Sequence, residues 1–159
     1  MKFDRTGVQK LLKHRDPFLF IDELTITSET TIEGKTLITP HKTSLLRGHF
    51  PNDPILPGVI TIEAISQLGG ILTFKPYLDQ GIFSIEGIQC DIYLVKITDF
   101  VIKDSIRPDC QMDITATVTP LPMPNFFEVK GHIHVQNKLK ARGPVIIYSK
   151  FTPPEKDKP

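Results

Sequence analysis

One stretch of the sequence, from Val59 to Phe74, constrains the fold more than any other. Its apolar residues occupy nearly the whole circumference of a helix rather than a single stripe, and a helix that is apolar all round is a buried helix. Pro57 and Gly58 suit the start of this helix, where the first N–H groups lack partners. Lys75-Pro76 predicts its end, because the residue before a proline resists the helical conformation. The sequence therefore predicts one helix enclosed by the rest of the chain.

Most of the remaining chain is predicted to be β-strand. Runs rich in β-branched residues extend over 24–38, with a turn or bulge expected at Glu33-Gly34-Lys35, and over 82–119. Residues 127–135 alternate apolar and polar side chains, and a last strand is expected from Val145 to Phe151. One buried helix among several long antiparallel strands is an α+β arrangement, in which the sheet wraps the helix.

The chain is expected to form a single domain. Its 159 residues, 40% of them hydrophobic, are enough for one core, and no linker divides the sequence, so the domain is expected at 1–152. The alternate prolines between Pro120 and Asn125 predict a loop, since proline interrupts the hydrogen bonds of a sheet. Residues 153–159 are charged and rich in proline, which predicts a flexible tail.

Charge and cysteine content argue against several classes of function. The chain has 19 basic and 18 acidic residues, so no strong field favours nucleic acid or an anionic membrane. The first apolar run, at 18–21, is too short for a signal peptide or a membrane span. Cys90 and Cys110 form neither a disulfide framework nor a metal motif, and we expect small core residues in a cytoplasmic protein. His132 and His134 lack an apparent third metal ligand, which favours a solvated face.

A narrow polar streak interrupts the apolar helix at Glu63, Ser66, Gln67 and Gly70. Glu63 and Gln67 are four residues apart, so one side chain lies above the other. An ionised carboxylate in an apolar setting is costly unless it is paired or serves a function. Exposure of Glu63 at one edge of the helix, or a structural ion pair, is the alternative interpretation.

The segment directly before the helix contains a second group that can exchange protons. His49 lies in an irregular loop, 48–58, with three prolines and two glycines. Free N–H groups around Gly58 and Val59 at the helix start can polarise a thioester carbonyl and stabilise its enolate. A lone histidine is more often structural, and the prediction depends on the combination of histidine, rigid loop, helix start and a carboxylate within the helix.

Helix geometry leaves open how the two groups meet. Glu63 lies five residues beyond Gly58, which is about 8 Å along the helix axis, whereas His49 must lie outside the helix mouth. Within one chain the loop would have to fold back along the helix. A symmetric dimer could instead bring His49 of one protomer to Glu63 of the other.

The motifs built on these residues resemble a known enzyme family. They are, in chain order, 14–22 (HRDPFLFID), 48–51 (GHFP), 54–59 (PILPGV), 62–64 (IEA) with Gln67, and 126–139. In these motifs the chain resembles the β-hydroxyacyl-ACP dehydratases of bacterial type II fatty-acid synthesis, over most of 9–150.

The resemblance implies a hot-dog fold and a homodimer, or a higher oligomer built from dimers, joined by sheet edges. It implies that each site combines His49 of one protomer with Glu63 of its partner. His49 would remove the α-proton of a 3-hydroxyacyl thioester held on acyl carrier protein, and Glu63 would protonate the departing 3-hydroxyl. The Gly58 amide would bind the thioester carbonyl, and Gln67 would orient Glu63. A glutamate rather than an aspartate at 63 favours the simple dehydratase over the dehydratase–isomerase. No cofactor or metal is implied.

The resemblance also implies an apolar tunnel for the acyl chain between protomers. Phe50, Val59, Ile62 and Phe83 are the predicted lining residues, with ordinary core packing as the alternative. Lys96, Lys103, Arg107 and Lys130 are candidate contacts to the acidic carrier protein.

The chain departs from the family where a basic, arginine-rich strand is expected, at 103–112. Asp104 and Asp109 weaken the positive surface there, which predicts a specialised paralogue serving a polyketide or other secondary pathway with its own carrier. Two other functions fit the fold: an acyl-thioester hydrolase and a non-catalytic carrier-binding partner subunit. The presence of both His49 and Glu63 weighs against the second.

Overall fold

The computed structural model describes residues 1–39, 42 and 48–154, so most of the tail predicted at 153–159 lies outside the described residues. The helices are α1 (Arg5–Leu11), α2 (Gly58–Thr73) and α3 (Lys75–Leu78). None of the described helices is long and apolar enough to cross a membrane. The strands are β1 (Lys2–Phe3), β2 (Glu23–Ile26), β3 (Thr31–Ile38), β4 (Gln89–Ile97), β5 (Val101–Ile102), β6 (Cys110–Pro120), β7 (Phe126–Val135) and β8 (Lys138–Thr152).

The strands form one antiparallel sheet in the order β1-β2-β3-β6-β7-β8-β4, and β5 pairs separately with β8. Helix α2 packs against β3, β4, β6, β7 and β8. Its central side chains Ala64, Ile65, Leu68 and Ile71 are fully buried. The predicted α+β arrangement, a helix wrapped by an antiparallel sheet, is confirmed.

Two glycines set the depth at which α2 lies on the sheet. A Cβ atom on Gly34 would come within 2.8 Å of a methyl group of Leu68, and one on Gly131 within 2.5 Å of Ile65. The prediction of a turn or bulge at Gly34 was wrong, because Gly34 lies within β3 and its missing side chain makes room for α2. The turn lies earlier, between Ile26 and Thr31.

Two element boundaries also differ from prediction. Helix α2 ends at Thr73, but Phe74 keeps helical backbone angles and α3 follows at once, with Pro76 in its first turn, where no amide hydrogen is needed. Strand β8 begins at Lys138 rather than Val145, because Gln136 and Asn137 have positive φ angles and form a tight turn directly after β7. The polar residues 138–144 therefore pair with β7.

Other local predictions agree with the structure. The loop predicted from the alternate prolines lies between β6 and β7. The alternation of β7 is confirmed by the burial of Val129, Ile133 and Val135. Cys90 is buried, whereas Cys110 is only half-buried because it lies at the start of β6.

The sheet ends differently on its two sides. On one side β4 is the outermost strand, and its apolar side chains Tyr93, Leu94, Val95 and Ile97 are 40–60% exposed. We call these four residues the β4 edge. On the other side β1 has only two residues, and α1 packs beside it.

A charge network stabilises the chain beside β1. The Asp22 carboxylate accepts hydrogen bonds from the Lys42 Nζ at 2.9 Å, the Thr36 hydroxyl at 3.0 Å and the Leu37 amide at 2.8 Å. The Arg5 guanidinium also bonds to Asp22. Lys42 is buried, and burial lowers the pKa of its amine to about 8.

Candidate active site

His49 lies in the loop before α2 with one ring nitrogen held by the backbone. Its Nδ1 atom is 2.9 Å from the carbonyl oxygen of Ile55. A carbonyl oxygen only accepts hydrogen bonds, so Nδ1 carries the hydrogen and Nε2 keeps its lone pair. The ring stacks on Phe50, with centroids 4.5 Å apart. His49 is thus oriented as a base that acts through Nε2.

A cavity of about 330 Å³ adjoins His49, and Gly58, Thr61, Ile102 and Ile106 contribute to its lining. We call it the His49 cavity. Gly58 is the first residue of α2, and no described side chain caps this helix end. A Cβ atom on Gly58 would come within 2.2 Å of the Ile102 Cδ1, so only glycine lets the Ile102 side chain lie over the helix start.

The Glu63 carboxylate is held from within α2. The Gln67 Nε2 donates to Glu63 Oε1 at 2.9 Å. The Gln67 amide is fixed in turn, because its Nε2 donates to the Phe18 carbonyl and its Oε1 accepts from the Phe20 amide, each at 2.9 Å. This is the arrangement that an orienting role for Gln67 requires.

Sequence reasoning missed the second neighbour of Glu63. The Nε2 atom of His14 lies 3.5 Å from Glu63 Oε1. The His14 Nδ1 is buried without a hydrogen-bond partner among the described residues. Burial lowers the pKa of the His14 imidazole, the Glu63 charge opposes this shift and the Arg15 charge adds to it. The spacing of residues could not indicate this contact, because His14 and Glu63 lie in separate segments of the chain. The family resemblance included His14 in the motif at 14–22 but assigned no role to it.

Glu63 faces a different cavity from His49. This Glu63 cavity, of about 220 Å³, is lined by Leu12, His14, Glu63, Ser66, Gln67, Ile92, Tyr93, Leu94 and Ile147. The separation follows from helix geometry: Glu63 lies five residues after Gly58, and a helix turns about 100° per residue, so the two positions point about 140° apart. Within one chain, His49 and Glu63 therefore line separate cavities.

The predicted tunnel residues have mixed surroundings. Phe50, Val59 and Phe83 are exposed by 54%, 65% and 50%, and line neither cavity. Phe83 packs against Phe3, with ring centroids 6.3 Å apart. Ile62 is buried in the core.

Two ion pairs lie on the surface beside the His49 cavity. Asp104 forms an ion pair with Lys140, and Asp53 forms one with Arg107. These bonds lower the pKa of both carboxyl groups and raise that of the Arg107 guanidinium. Within the described ranges, no group of three or more His, Cys, Asp or Glu residues is placed to hold a metal ion.

Known proteins match this chain over most of its length. The FabA-like domain family matches residues 12–124. The 3-hydroxyacyl-[acyl-carrier-protein] dehydratase FabZ of Campylobacter fetus is 32% identical over 140 residues, which are 87% of this chain and 91% of that protein. The FabZ of Wolinella succinogenes is 43% identical over 75 residues, 46% of this chain and 49% of that protein. The resemblance drawn from the motifs is confirmed.

Solved structures match the fold at low sequence identity. The dehydratase heterocomplex ApeI:P from Xenorhabdus doucetiae superimposes with a TM-score of 0.71 at 16% identity, covering 90% of each chain. A hypothetical thioesterase from Streptococcus pneumoniae with coenzyme A gives a TM-score of 0.55 at 10% identity, covering 82% of this chain and 88% of that one. These similarities confirm the predicted hot-dog fold.

Proposed function

The chain belongs to the FabA-like domain family, and on that premise we propose that it is a 3-hydroxyacyl-ACP dehydratase. It removes water from (3R)-3-hydroxyacyl thioesters and yields trans-2-enoyl thioesters. The observation that carries this proposal is a pair of half-sites: a base held through Nδ1 beside a helix start that no described side chain caps, and a carboxylate held at one oxygen.

The first half of the reaction uses the His49 cavity. The thioester carbonyl accepts a hydrogen bond from the Gly58 amide at the positive end of the α2 dipole, which stabilises negative charge on that oxygen. Carbon C2 is then more acidic, and His49 Nε2 takes its proton. The bond to Ile55 keeps the ring in the required tautomer and stabilises the imidazolium that forms.

The second half of the reaction uses Glu63. Both contacts described for this carboxylate fall on Oε1, so Oε2 is the oxygen that faces substrate. As the C2 electron pair forms the C2=C3 double bond, the C3–O bond breaks and protonated Glu63 donates its proton to the departing hydroxyl. Water leaves, His49 is left protonated and Glu63 ionised, and exchange with solvent restores both.

A complete site requires a second protomer. Both cavities are partly lined by the open side of the sheet: Tyr93 and Leu94 of β4 line the Glu63 cavity, and Ile102 of β5 lines the His49 cavity. Antiparallel pairing of two β4 strands extends the sheet and covers the apolar β4 edge. In this homodimer, His49 of one protomer faces the partner's Glu63 cavity, and Phe50 and Val59 become buried beside the acyl chain.

The substrate is delivered by an acyl carrier protein, as the names of the relatives state for those proteins. The ion pairs of Asp104 and Asp53 reduce the free positive charge near the His49 cavity. They support a paralogue with its own, less acidic carrier, in a polyketide or other secondary pathway. We place this activity in one cytoplasmic domain at 1–152, without nucleic acid or membrane as partners.

The direct test is the reversible hydration of a short enoyl thioester, measured for the wild type, His49→Ala and Glu63→Gln, with His132→Ala as an exposed control. We expect interconversion of enoyl and 3-hydroxyacyl thioesters by the wild type and the control. Both site variants should lose about 10²–10⁴-fold in rate while they stay folded. Release of free thiol without an alkene would identify a thioesterase, and an inert wild type on carriers of several kinds would overturn the proposal.

A further inference from the structure

We propose that His14 is a positioning residue of this site. Its neutral imidazole donates a hydrogen bond that orients the Glu63 carboxylate and leaves this group able to gain and lose a proton. This inference rests on the proposed role of Glu63 as the acid that protonates the departing hydroxyl.

The position of His14 supports a role at Glu63 rather than in the core. Its side chain lines the Glu63 cavity together with the carboxylate. The separation of 3.5 Å between His14 Nε2 and Glu63 Oε1 is longer than a good hydrogen bond. Catalytic hydrogen bonds in sites without substrate are often long and tighten when the complex forms. A shift of about half an ångström would complete this one.

The buried side of the ring determines which nitrogen carries the hydrogen. Nδ1 has no hydrogen-bond partner among the described residues, and a buried N–H without an acceptor is costly. The opposite tautomer would also turn a nitrogen lone pair toward the lone pairs of Glu63 Oε1. Both effects place the hydrogen on Nε2, where it points at Glu63, so neutral His14 acts as a donor.

The charge of His14 determines whether Glu63 can act as an acid. Among the described residues, Glu63 on α2 and Arg15 beside it in the chain act on the charge of His14, and Tyr93 on β4 lines the same cavity. Burial and Arg15 lower the pKa of His14 against the opposing effect of Glu63, which favours the neutral ring. A cationic ring would hold Glu63 ionised and prevent it from carrying the proton that the reaction needs.

One segment supplies both groups that hold Oε1. His14 contacts Glu63 directly, and Phe18 and Phe20 of the same segment fix the amide of Gln67, the other donor. The rings of His14 and Phe18 are stacked, with centroids 6.3 Å apart. The segment from His14 to Phe20 therefore acts as one support for the carboxylate.

The test compares His14→Gln with His14→Asn. Both introduce a neutral amide, but only glutamine can place an N–H where the His14 Nε2 lies. His14→Phe keeps the ring without a donor, and His132→Phe is the control on an exposed strand position. Rates of dehydration are measured between pH 5 and pH 10, with kcat and KM separated and folding checked by circular dichroism.

We expect kcat to fall about 10- to 100-fold in His14→Asn and His14→Phe, with KM changed less than about twofold. The pH profile of kcat should also change in both, because both remove the donor that lies beside the Glu63 carboxylate. His14→Gln should recover most of kcat and the original profile. Equal activity of the Gln and Asn variants, or an unchanged profile in both, would overturn the inference. An inactive wild type would instead refute the proposed function.

Discussion

The two outer strands of the sheet have opposite properties. β1 has two residues, one of them Lys2, and α1 packs beside it. β4 has nine residues, and its exposed outer part consists of four apolar side chains, the β4 edge, with a single lysine, Lys96, among them. Short strands and lysine at an edge prevent pairing with another chain, whereas a long apolar edge favours it. The contrast indicates that the β1 edge, which we call the closed side, resists pairing with another chain, whereas the β4 edge, the open side, favours it.

The contrast also explains how a single chain can hold two separate half-sites. Both the His49 cavity and the Glu63 cavity adjoin the open side of the sheet, and neither adjoins β1. In the proposed homodimer, assembly at β4 would complete the catalytic site, whereas no residue of β1 lines either cavity. Each of the following experiments alters one side and leaves the other as its reference.

The largest expected effect is recovery of activity on mixing two inactive variants. His49→Ala and Glu63→Gln should each lose about 10²–10⁴-fold in rate. After unfolding and refolding together, half of the dimers are mixed and each mixed dimer has one intact site, so activity should return to about a quarter of the wild-type value. Differently tagged chains allow the mixed dimer to be isolated. An isolated mixed dimer without activity would show that each site lies within one chain.

The next effect is loss of the dimer through a charge on the β4 edge. Val95→Glu places a carboxylate where two apolar edges would meet, and an unpaired buried charge costs several kcal/mol. We expect a monomer by analytical ultracentrifugation and at least about a 100-fold loss of dehydration rate. Met123→Glu adds the same charge at another exposed apolar residue, on the loop before β7, and should remain dimeric and active. A monomer with full activity would contradict the composite site.

A smaller effect is expected on the closed side, in the dependence of stability on pH. Burial lowers the pKa of Lys42 to about 8, while in the unfolded chain it stays near its ordinary value of about 10.4. Between these values the unfolded state binds more protons, so the free energy of unfolding gains a term that rises with pH, by at most about 1.4 kcal/mol per pH unit.

Urea unfolding between pH 7 and pH 10.5 measures this term. Lys42→Met should remove it, whereas Lys10→Met, at an exposed position on α1, should retain the wild-type slope. Equal slopes in the wild type and Lys42→Met would show that Lys42 does not titrate in this range. Neither substitution should change the dimer.

The smallest effect concerns the paired charges near the His49 cavity. Asp104→Asn and Asp53→Asn free the cations Lys140 and Arg107 from their partners. With an acidic carrier at low salt we expect kcat/KM to rise about two- to fivefold, because complementary charge speeds association.

The gain should disappear at about 1 M salt and should be absent with a pantetheine thioester. Asp113→Asn, on β6 toward the closed side, serves as the matched control. A gain of equal size with the pantetheine substrate would show that the two aspartates act on the chemistry and not on carrier docking.

Local sequence patterns predicted the helix and the strand in which buried positions recur at a regular spacing. The all-round apolar run gave the extent of α2, and strict alternation gave β7. The pattern failed at Gly34, where a feature typical of a turn is required by contact with Leu68 of α2. It failed again at the start of β8, where residues 138–144 pair with β7 through an irregular register. Both failures depend on partners that are distant in sequence.

The candidate site shows the same difference between residues grouped by local spacing and residues that meet only through the fold. Gly58, Glu63 and Gln67 lie within about two and a half turns of one helix, and His49 lies in the loop before it, so motif spacing could group them. His14 contacts Glu63 from a separate segment of the chain, with no periodic relation to it. Its role depends on burial of Nδ1 and on a single distance, and neither quantity can be read from residue order.

The contacts of Gly34 with Leu68 and of Gly131 with Ile65 limit how this protein can diverge. Any larger residue at either glycine lifts α2 from the sheet, and with it every group that the helix carries. Variation in acyl-chain preference must therefore accumulate outside these two contacts, at cavity positions such as Ile92 on β4 and Ile102 on β5. Libraries designed to alter the substrate range should hold the two glycines fixed and diversify those cavity positions.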